Sequence, residues 1–251
     1  MDTREFEGRT ALVTGGSRGI GRATCLALAG AGARIAVNFA ANQQAAEETL
    51  AQVEALDVEA MMVKADVSDP VAVTGMIKAV ESTLGPVDLL VTSAGIARAE
   101  QHTEMTFEDW RRMLAINLDG TYLPVMQVKD GMLSRGYGRI VCIASIAGLR
   151  ARGSMITYST SKAAVIAFAR SCAEAFGPSI RVNSVAPGLI DTDMGASMGA
   201  EVKQRLADEA FLKRIGTPEE IAETVLFLLS ERSSFTTGQT YVADGGRVTL
   251  P

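Results

Sequence analysis

An apolar triplet, Ala11-Leu12-Val13, runs straight into Thr14-Gly15-Gly16-Ser17-Arg18-Gly19-Ile20-Gly21. A helical pattern through Ala23, Leu26, Ala27 and Leu28 follows and stops at Gly30-Ala31-Gly32. A short apolar run of this kind suits a parallel strand buried on both faces. Strand, glycine turn and helix in immediate succession leave few folds open, because the strand must lie in a sheet that helices cover. The glycines let the backbone approach a pyrophosphate closely, and the new helix offers free N–H groups and a positive dipole end. The spacing G-x-x-x-G-x-G is a looser relative of G-x-G-x-x-G. Gly15, Ser17, Arg18, Gly19, Ile20 and Gly21 are therefore candidate cofactor contacts. A plain turn also uses glycine, and the strand and helix on either side favour the cofactor reading.

The alternation continues to the end of the chain. Further strands are predicted at 34–39, 60–65, 87–92, 138–144, 180–186 and 240–243, with helices between them. The helix over 43–56 carries Ala46, Leu50, Val53 and Leu56 on one stripe. Ser68 or Asp69 caps the next helix, over 71–84. A long helical stretch is read over 106–134 and another over 157–176. Residues 189–212, rich in glycine and methionine at their start, read as a mobile lid over an apolar substrate. About seven strands alternating with helices give an α/β protein, a Rossmann-type doubly wound parallel sheet in three α/β/α layers. No linker or repeat divides it, so residues 1–251 are expected to form one domain.

Strand ends carry the remaining cofactor candidates, as in all open sheets of this kind. The second strand ends Asn38-Phe39-Ala40-Ala41-Asn42 without a carboxylate to hold a ribose 2′-hydroxyl. Arg18 would meet a 2′-phosphate instead, which points to NADP(H), with NAD(H) still possible. Asp66, followed by Val67, either reaches an adenine amino group or caps a turn. Ser93, Ala94 and Gly95 leave room for the adenosine half. Pro187 and Gly188, with Ile190 and Thr192 beyond them, are placed to pass over a nicotinamide ring.

Tyr158 and Lys162 stand four apart on a predicted helix, so their side chains share a face. A tyrosine hydroxyl titrates near ~10, and an ammonium beside it is expected to draw that value down. Ser145, where an apolar run gives way to small residues, is placed to hold a carbonyl oxygen beside Tyr158. Asn117, mid-helix among apolar neighbours, must find partners for its amide, within the helix or through a water near the catalytic group.

Composition narrows the field. A net charge of −5 with no basic run argues against a nucleic-acid partner. His102 is the sole histidine, which excludes a His-rich metal site and argues against a Ser-His-Asp triad; no metal is expected. Cys25, Cys142 and Cys172 are far apart in apolar segments and read as reduced, pointing to a cytoplasmic protein. No apolar run reaches membrane-spanning length.

These motifs together resemble the classical short-chain dehydrogenase/reductase family over nearly the whole chain, closest to 3-oxoacyl-[acyl-carrier-protein] reductase-like members. The resemblance implies that Asn117, Ser145, Tyr158 and Lys162 are the catalytic set, that Tyr158 and Lys162 also touch the cofactor, and that the chain forms a homotetramer. It implies an NADP(H)-dependent oxidoreductase interconverting a carbonyl and a secondary alcohol, with a small-molecule or thioester carbonyl substrate. Lys162 would lower the tyrosine pKa, and Asn117 would keep a water for proton relay. Two departures stand out. Ser93 replaces a usual asparagine, which should weaken strand-to-loop bonding. Arg170, Glu174 and Phe176 make an unhelpful surface for an acyl-carrier protein, though Arg135 is available. The rivals are an NAD-linked alcohol or sugar dehydrogenase, and a catalytically silent nucleotide-binding sensor.

Overall fold

The computed structural model describes residues 4–196 and 198–249; the ends of the expected domain and residue 197 of the expected lid lie outside the described residues. Among these residues seven strands form one sheet: β1 (Thr10–Thr14), β2 (Arg34–Phe39), β3 (Ala60–Lys64), β4 (Val87–Thr92), β5 (Gly138–Ile143), β6 (Ile180–Pro187) and β7 (Thr240–Ala243). Their order is β3-β2-β1-β4-β5-β6-β7, and every pairing is parallel. The order reverses between β1 and β4, the switch point at which such sheets open a ligand crevice.

Side chains alternate across each strand and feed two cores. Leu12, Ala36, Leu90, Ile140 and Val182 point to the face covered by α3 (Pro70–Leu84), α5 (Gly120–Arg135) and α6 (Ile156–Phe176). Ala11, Val13, Ile35, Val37 and Val141 point to the face covered by α1 (Gly19–Gly30), α2 (Gln43–Glu54) and α9 (Pro218–Leu229). The three cysteines are buried and unpaired. No helix among the described residues is long and apolar enough to cross a membrane.

Asp69, rather than Ser68, caps α3, accepting from Val71 N at 2.8 Å. Thr217 and Glu220 form a reciprocal capping box on α9. Two expectations are corrected. The helix over 43–56 ends at Glu54, so Leu56 falls beyond it and is 43% exposed. The helical stretch over 106–134 is not uniform: α4 (Phe107–Leu114) passes through a π turn, Ala115–Asp119, before α5. One residue is inserted into the helical ladder there. Gly120 just after it lies so near Val67 that a Cβ would stand 2.5 Å from Val67 Cγ2. The segment between β6 and α9 folds into α7 (Asp193–Ala196) and α8 (Ala200–Glu209).

Candidate active site

The strand ends of β1, β4 and β5 and the first turn of α6 meet on one side of the sheet. Ser145 follows β5, and its Oγ accepts from Ala147 N at 3.1 Å. Tyr158 and Lys162 lie on successive turns of α6 and are 9% and 6% exposed. Lys162 Nζ donates to the Ile143 carbonyl at 2.8 Å and stands 5.9 Å from the Tyr158 ring centroid. Burial pulls Lys162 down to about 8.

The expected lowering of Tyr158 is not what the structure gives. Burial pushes its hydroxyl above the ordinary tyrosine value, and only the neighbouring Ser145 hydroxyl works in the other direction. The physical reason is that the ammonium is turned to a backbone carbonyl, while the ring sits in an apolar setting of Met113, Ala147, Ile96 and Met155.

Asn117 is fully buried in the π turn. Its Oδ1 accepts from Ile96 N at 2.8 Å, and its Nδ2 donates to Ile96 O and to Ser161 Oγ, each at 3.0 Å. Ser161 Oγ in turn donates to Tyr158 O at 2.7 Å. The amide therefore clamps the loop after β4 to α6 beside Tyr158, while its Nδ2 also reaches Met113 Sδ at 3.2 Å within its own helical stretch. Ser161 was not a sequence candidate; a small hydroxyl inside the Tyr-x-x-x-Lys spacing was the available signal. On the outer side, buried Glu100 accepts from Thr157 Oγ1 at 2.9 Å, tying the same loop to the residue before Tyr158. His102 is exposed on this loop.

The glycine turn has the geometry of a phosphate cradle. A Cβ on Gly21 would stand 2.1 Å from Gly15 O, and one on Gly15 would stand 2.8 Å from Ala94 Cα. Gly19 adopts φ +52°, where glycine is strongly favoured. Arg18 occupies the N-cap of α1 without a side-chain cap, so the first N–H groups of that helix have no internal partner. These residues fit a dinucleotide pyrophosphate. Thr14 Oγ1 accepts from Ser93 N (3.1 Å) and Ala94 N (3.2 Å), so the backbone of the β4 exit is anchored although position 93 lacks an amide. Gly95 lies beside Asn117 and Lys162: a Cβ there would be 3.2 Å from Asn117 Oδ1 and 3.6 Å from Lys162 Nζ.

Other candidates fall on different sides of this cradle. Ser17 and Ile20 belong to the turn and to the first turn of α1. A Cβ on Gly19 would touch Thr192 Cγ2, which sets Thr192 against the turn. Ile190 pairs with Gly216, and Gly188 packs directly on Asp244. Asp66 is exposed, and one of its oxygens accepts from Ser68 N (2.9 Å) and Ser68 Oγ (2.7 Å), so it does cap a turn. Val67 is buried against Gly120. Arg18 is exposed and faces Asp193 at 3.6 Å, beside a cavity of about 460 Å³ that it shares with Arg22, Asn42 and Thr192.

One more expectation changes. Asn38 is 1% exposed and its side chain is engaged inside the protein rather than offered to a cofactor: its Oδ1 accepts from Gly15 N at 3.3 Å, and its Nδ2 donates to the carbonyls of Val63 and Ala65. It supports the glycine turn from below. Arg135 stays exposed, with Nη2 donating to Val87 O at 2.7 Å and standing 3.7 Å from Asp88. Phe176 belongs to the core. Among the described residues no group of His, Cys, Asp and Glu is arranged to hold a metal.

A family model described as enoyl-(acyl carrier protein) reductase matches residues 15–247. The 3-oxoacyl-[acyl-carrier-protein] reductase of Synechocystis sp. is 40% identical, covering 96% of this chain and 97% of that one. The acetoacetyl-CoA reductase of Rhizobium meliloti is 40% identical, covering 95% and 98%. Among solved structures, a 3-oxoacyl-[acyl-carrier protein] reductase from Brucella melitensis with bound NAD superposes with a TM-score of 0.90 at 32% identity, over 99% of this chain and 94% of that one. A putative gluconate dehydrogenase from Agrobacterium tumefaciens gives 0.95 at 30% identity, over 100% of both chains. The chain belongs to the short-chain dehydrogenase/reductase family, whose members bind NAD(P)(H), and is an oxidoreductase of that family acting on a carbonyl or CH–OH group.

Proposed function

We propose that the protein is an NADP(H)-dependent reductase of 3-oxoacyl thioesters. The observation that carries this reading is the convergence of Ser145, Tyr158 and Lys162 beside the glycine turn. Tyr158, held above its ordinary pKa, keeps its proton at neutral pH and so suits the donor role that reduction needs. Ser145 orients the carbonyl oxygen, and two hydroxyls on one oxygen make the carbonyl carbon more electrophilic. Lys162, buried and fixed on Ile143 O, supplies positive charge under the site. Asn117 holds the loop that walls it. When bound, a nicotinamide cofactor supplies the hydride. The 2′-phosphate preference rests on Arg18, whose side chain is 63% exposed, and on exposed Ala40 and Ala41, where a carboxylate would select NAD. Exposed Ala163 and Ala167 on α6 offer a close-packing face for a second copy of the chain, which supports a homotetramer.

The likeness to a protein called a gluconate dehydrogenase favours one rival, a sugar or alcohol dehydrogenase working oxidatively. Absorbance decay of NADPH and NADH, followed over 3-oxoacyl thioesters, enoyl thioesters, ketones and sugars, separates the readings. Turnover of a 3-oxoacyl thioester with NADPH is expected. Turnover confined to enoyl thioesters, to sugars or to the NAD pair overturns the corresponding part.

A further inference from the structure

Positive charge gathers beside the catalytic cleft of a chain whose net charge is −5. Arg150 and Arg152 stand on the loop between Ser145 and Tyr158, ahead of Met155, which packs against Tyr158 and Ala147. Arg247 approaches from the far side, after β7. Its side chain is only 4% exposed, and its Nε donates to Glu209 Oε2 at 2.9 Å, with Nη2 on the same oxygen. Glu209 is the last residue of α8, and Leu212 N donates to Gly245 O at 3.1 Å next to it, so this pair fastens the lid to the C-terminal segment.

Arg152 is half-buried between these walls. The charges of Arg247 and Arg150 act on it in the same sense as burial and hold its guanidinium below the ordinary arginine range; Glu209 alone opposes them. The other nearby acids are engaged elsewhere. Asp244 accepts from Gly246 N (2.9 Å) and Val248 N (2.6 Å), and Glu100 accepts from Thr157 and faces Arg98. Glu209 is thus bonded by Arg247 alone, while Arg150 and Arg152 lie within range of its charge without a carboxylate contact of their own. Crowding like charges in a partly buried place is unfavourable by itself, and such arrangements concentrate where an opposite charge is to be bound. The arginine fork matches phosphate and carboxylate oxygens in pairs.

We propose that Arg150, Arg152 and Arg247 form an oxyanion-binding site at the mouth of the cleft, which takes an anionic group of the substrate remote from the reacting carbonyl. This deepens the thioester reading and rests on it for the source of the anion: the phosphate groups of a coenzyme A or phosphopantetheine arm. A carboxylate on the substrate is the other source of the same chemistry.

The test compares wild type with the double variant R150Q/R152Q, leaving the Arg247–Glu209 tie in place. With acetoacetyl-CoA the variant's KM is expected to rise about tenfold or more while kcat changes less than about twofold. With the uncharged N-acetylcysteamine thioester both are expected to stay within about twofold of wild type. Equal changes on the two substrates, or none on either, overturn the site and leave the thioester reading standing. A second measurement needs no turnover. Coenzyme A, pantetheine and malonate are titrated calorimetrically into the NADP⁺-loaded protein. Tighter binding of coenzyme A than of pantetheine marks phosphate as the source, and binding of malonate marks carboxylate. Either must weaken about tenfold in the variant and in high salt. Wild type that binds none of the three overturns the proposal. Anion binding lost in the variant, in a protein that turns over no thioester, keeps the site and removes the thioester reading.

Discussion

Tyr158 and Lys162 are both buried, and burial moves them in opposite senses: the phenol keeps its proton more firmly and the ammonium less firmly. Tyr158→Phe removes the proposed proton donor and keeps the aromatic ring. Its turnover is expected to fall about 10²–10⁴-fold, with NADPH affinity, read by fluorescence titration, within about twofold of wild type. Near-normal turnover would remove Tyr158 from the chemistry. Lys162 makes a stability prediction. Its folded value of about 8 lies below the ordinary 10.5, so the unfolded chain binds more protons between those two values. The charged lysine opposes folding at neutral pH by an amount on the order of 3 kcal/mol at most, and that penalty fades as pH rises from 8 to 10.5. Lys162→Met lacks this titration but leaves Ile143 O without its donor, which costs about 1–3 kcal/mol. Urea midpoints should therefore show wild type gaining on the variant between pH 8 and 10.5; parallel profiles would refute the assignment.

At the level of elements, α6 and the π turn act as one unit through Asn117, Ser161 and Tyr158. Asn117→Ala leaves Ile96 N and O without their partners in a partly buried setting. A loss of about 2–4 kcal/mol is expected, together with faster proteolysis of the loop 96–105, and an unchanged cleavage rate there would contradict the clamp. Much of this unit was legible. A 3.6-residue period puts Tyr158 and Lys162 on one face from their spacing alone, and a hydroxyl after an apolar run marks Ser145. The partners were not legible. Lys162 binds a backbone carbonyl, which every residue carries and no letter distinguishes. The π turn inserts one residue without a compositional mark. Asn38 stands at a strand end where a cofactor contact is reasonable. Its inward direction follows from the pleat of β2 against β3, which pairs it with Val63, and that register becomes visible only in the folded sheet.

At the scale of the whole molecule, one sheet among the described residues is shared by two cores, one on each face, and the glycine cradle is built where the strands on either side of the switch point end. Because β1 contributes to both cores through alternate residues, neither helical layer keeps its face without the other. One cooperative thermal transition is expected, and a ligand held at the end of β1 should raise it as a whole. At a free NADPH concentration of about 100 Kd the linkage term is about 2.7 kcal/mol, which for a chain of this size corresponds to a rise of about 5–10 °C. Gly21→Ala tests the origin of that rise. A methyl there would meet Gly15 O at 2.1 Å, and because that oxygen is backbone the turn itself must shift. The variant is expected to unfold in one transition and to lose most of the NADPH-dependent rise, in differential scanning calorimetry with and without cofactor. Arg18→Ala separates the 2′-phosphate from the rest of the cradle. It is expected to lower the rise given by NADPH and to leave that given by NADH in place, since only the former carries a group for the guanidinium to meet. Equal losses with the two cofactors would assign Arg18 to the pyrophosphate or to its pair with Asp193 instead.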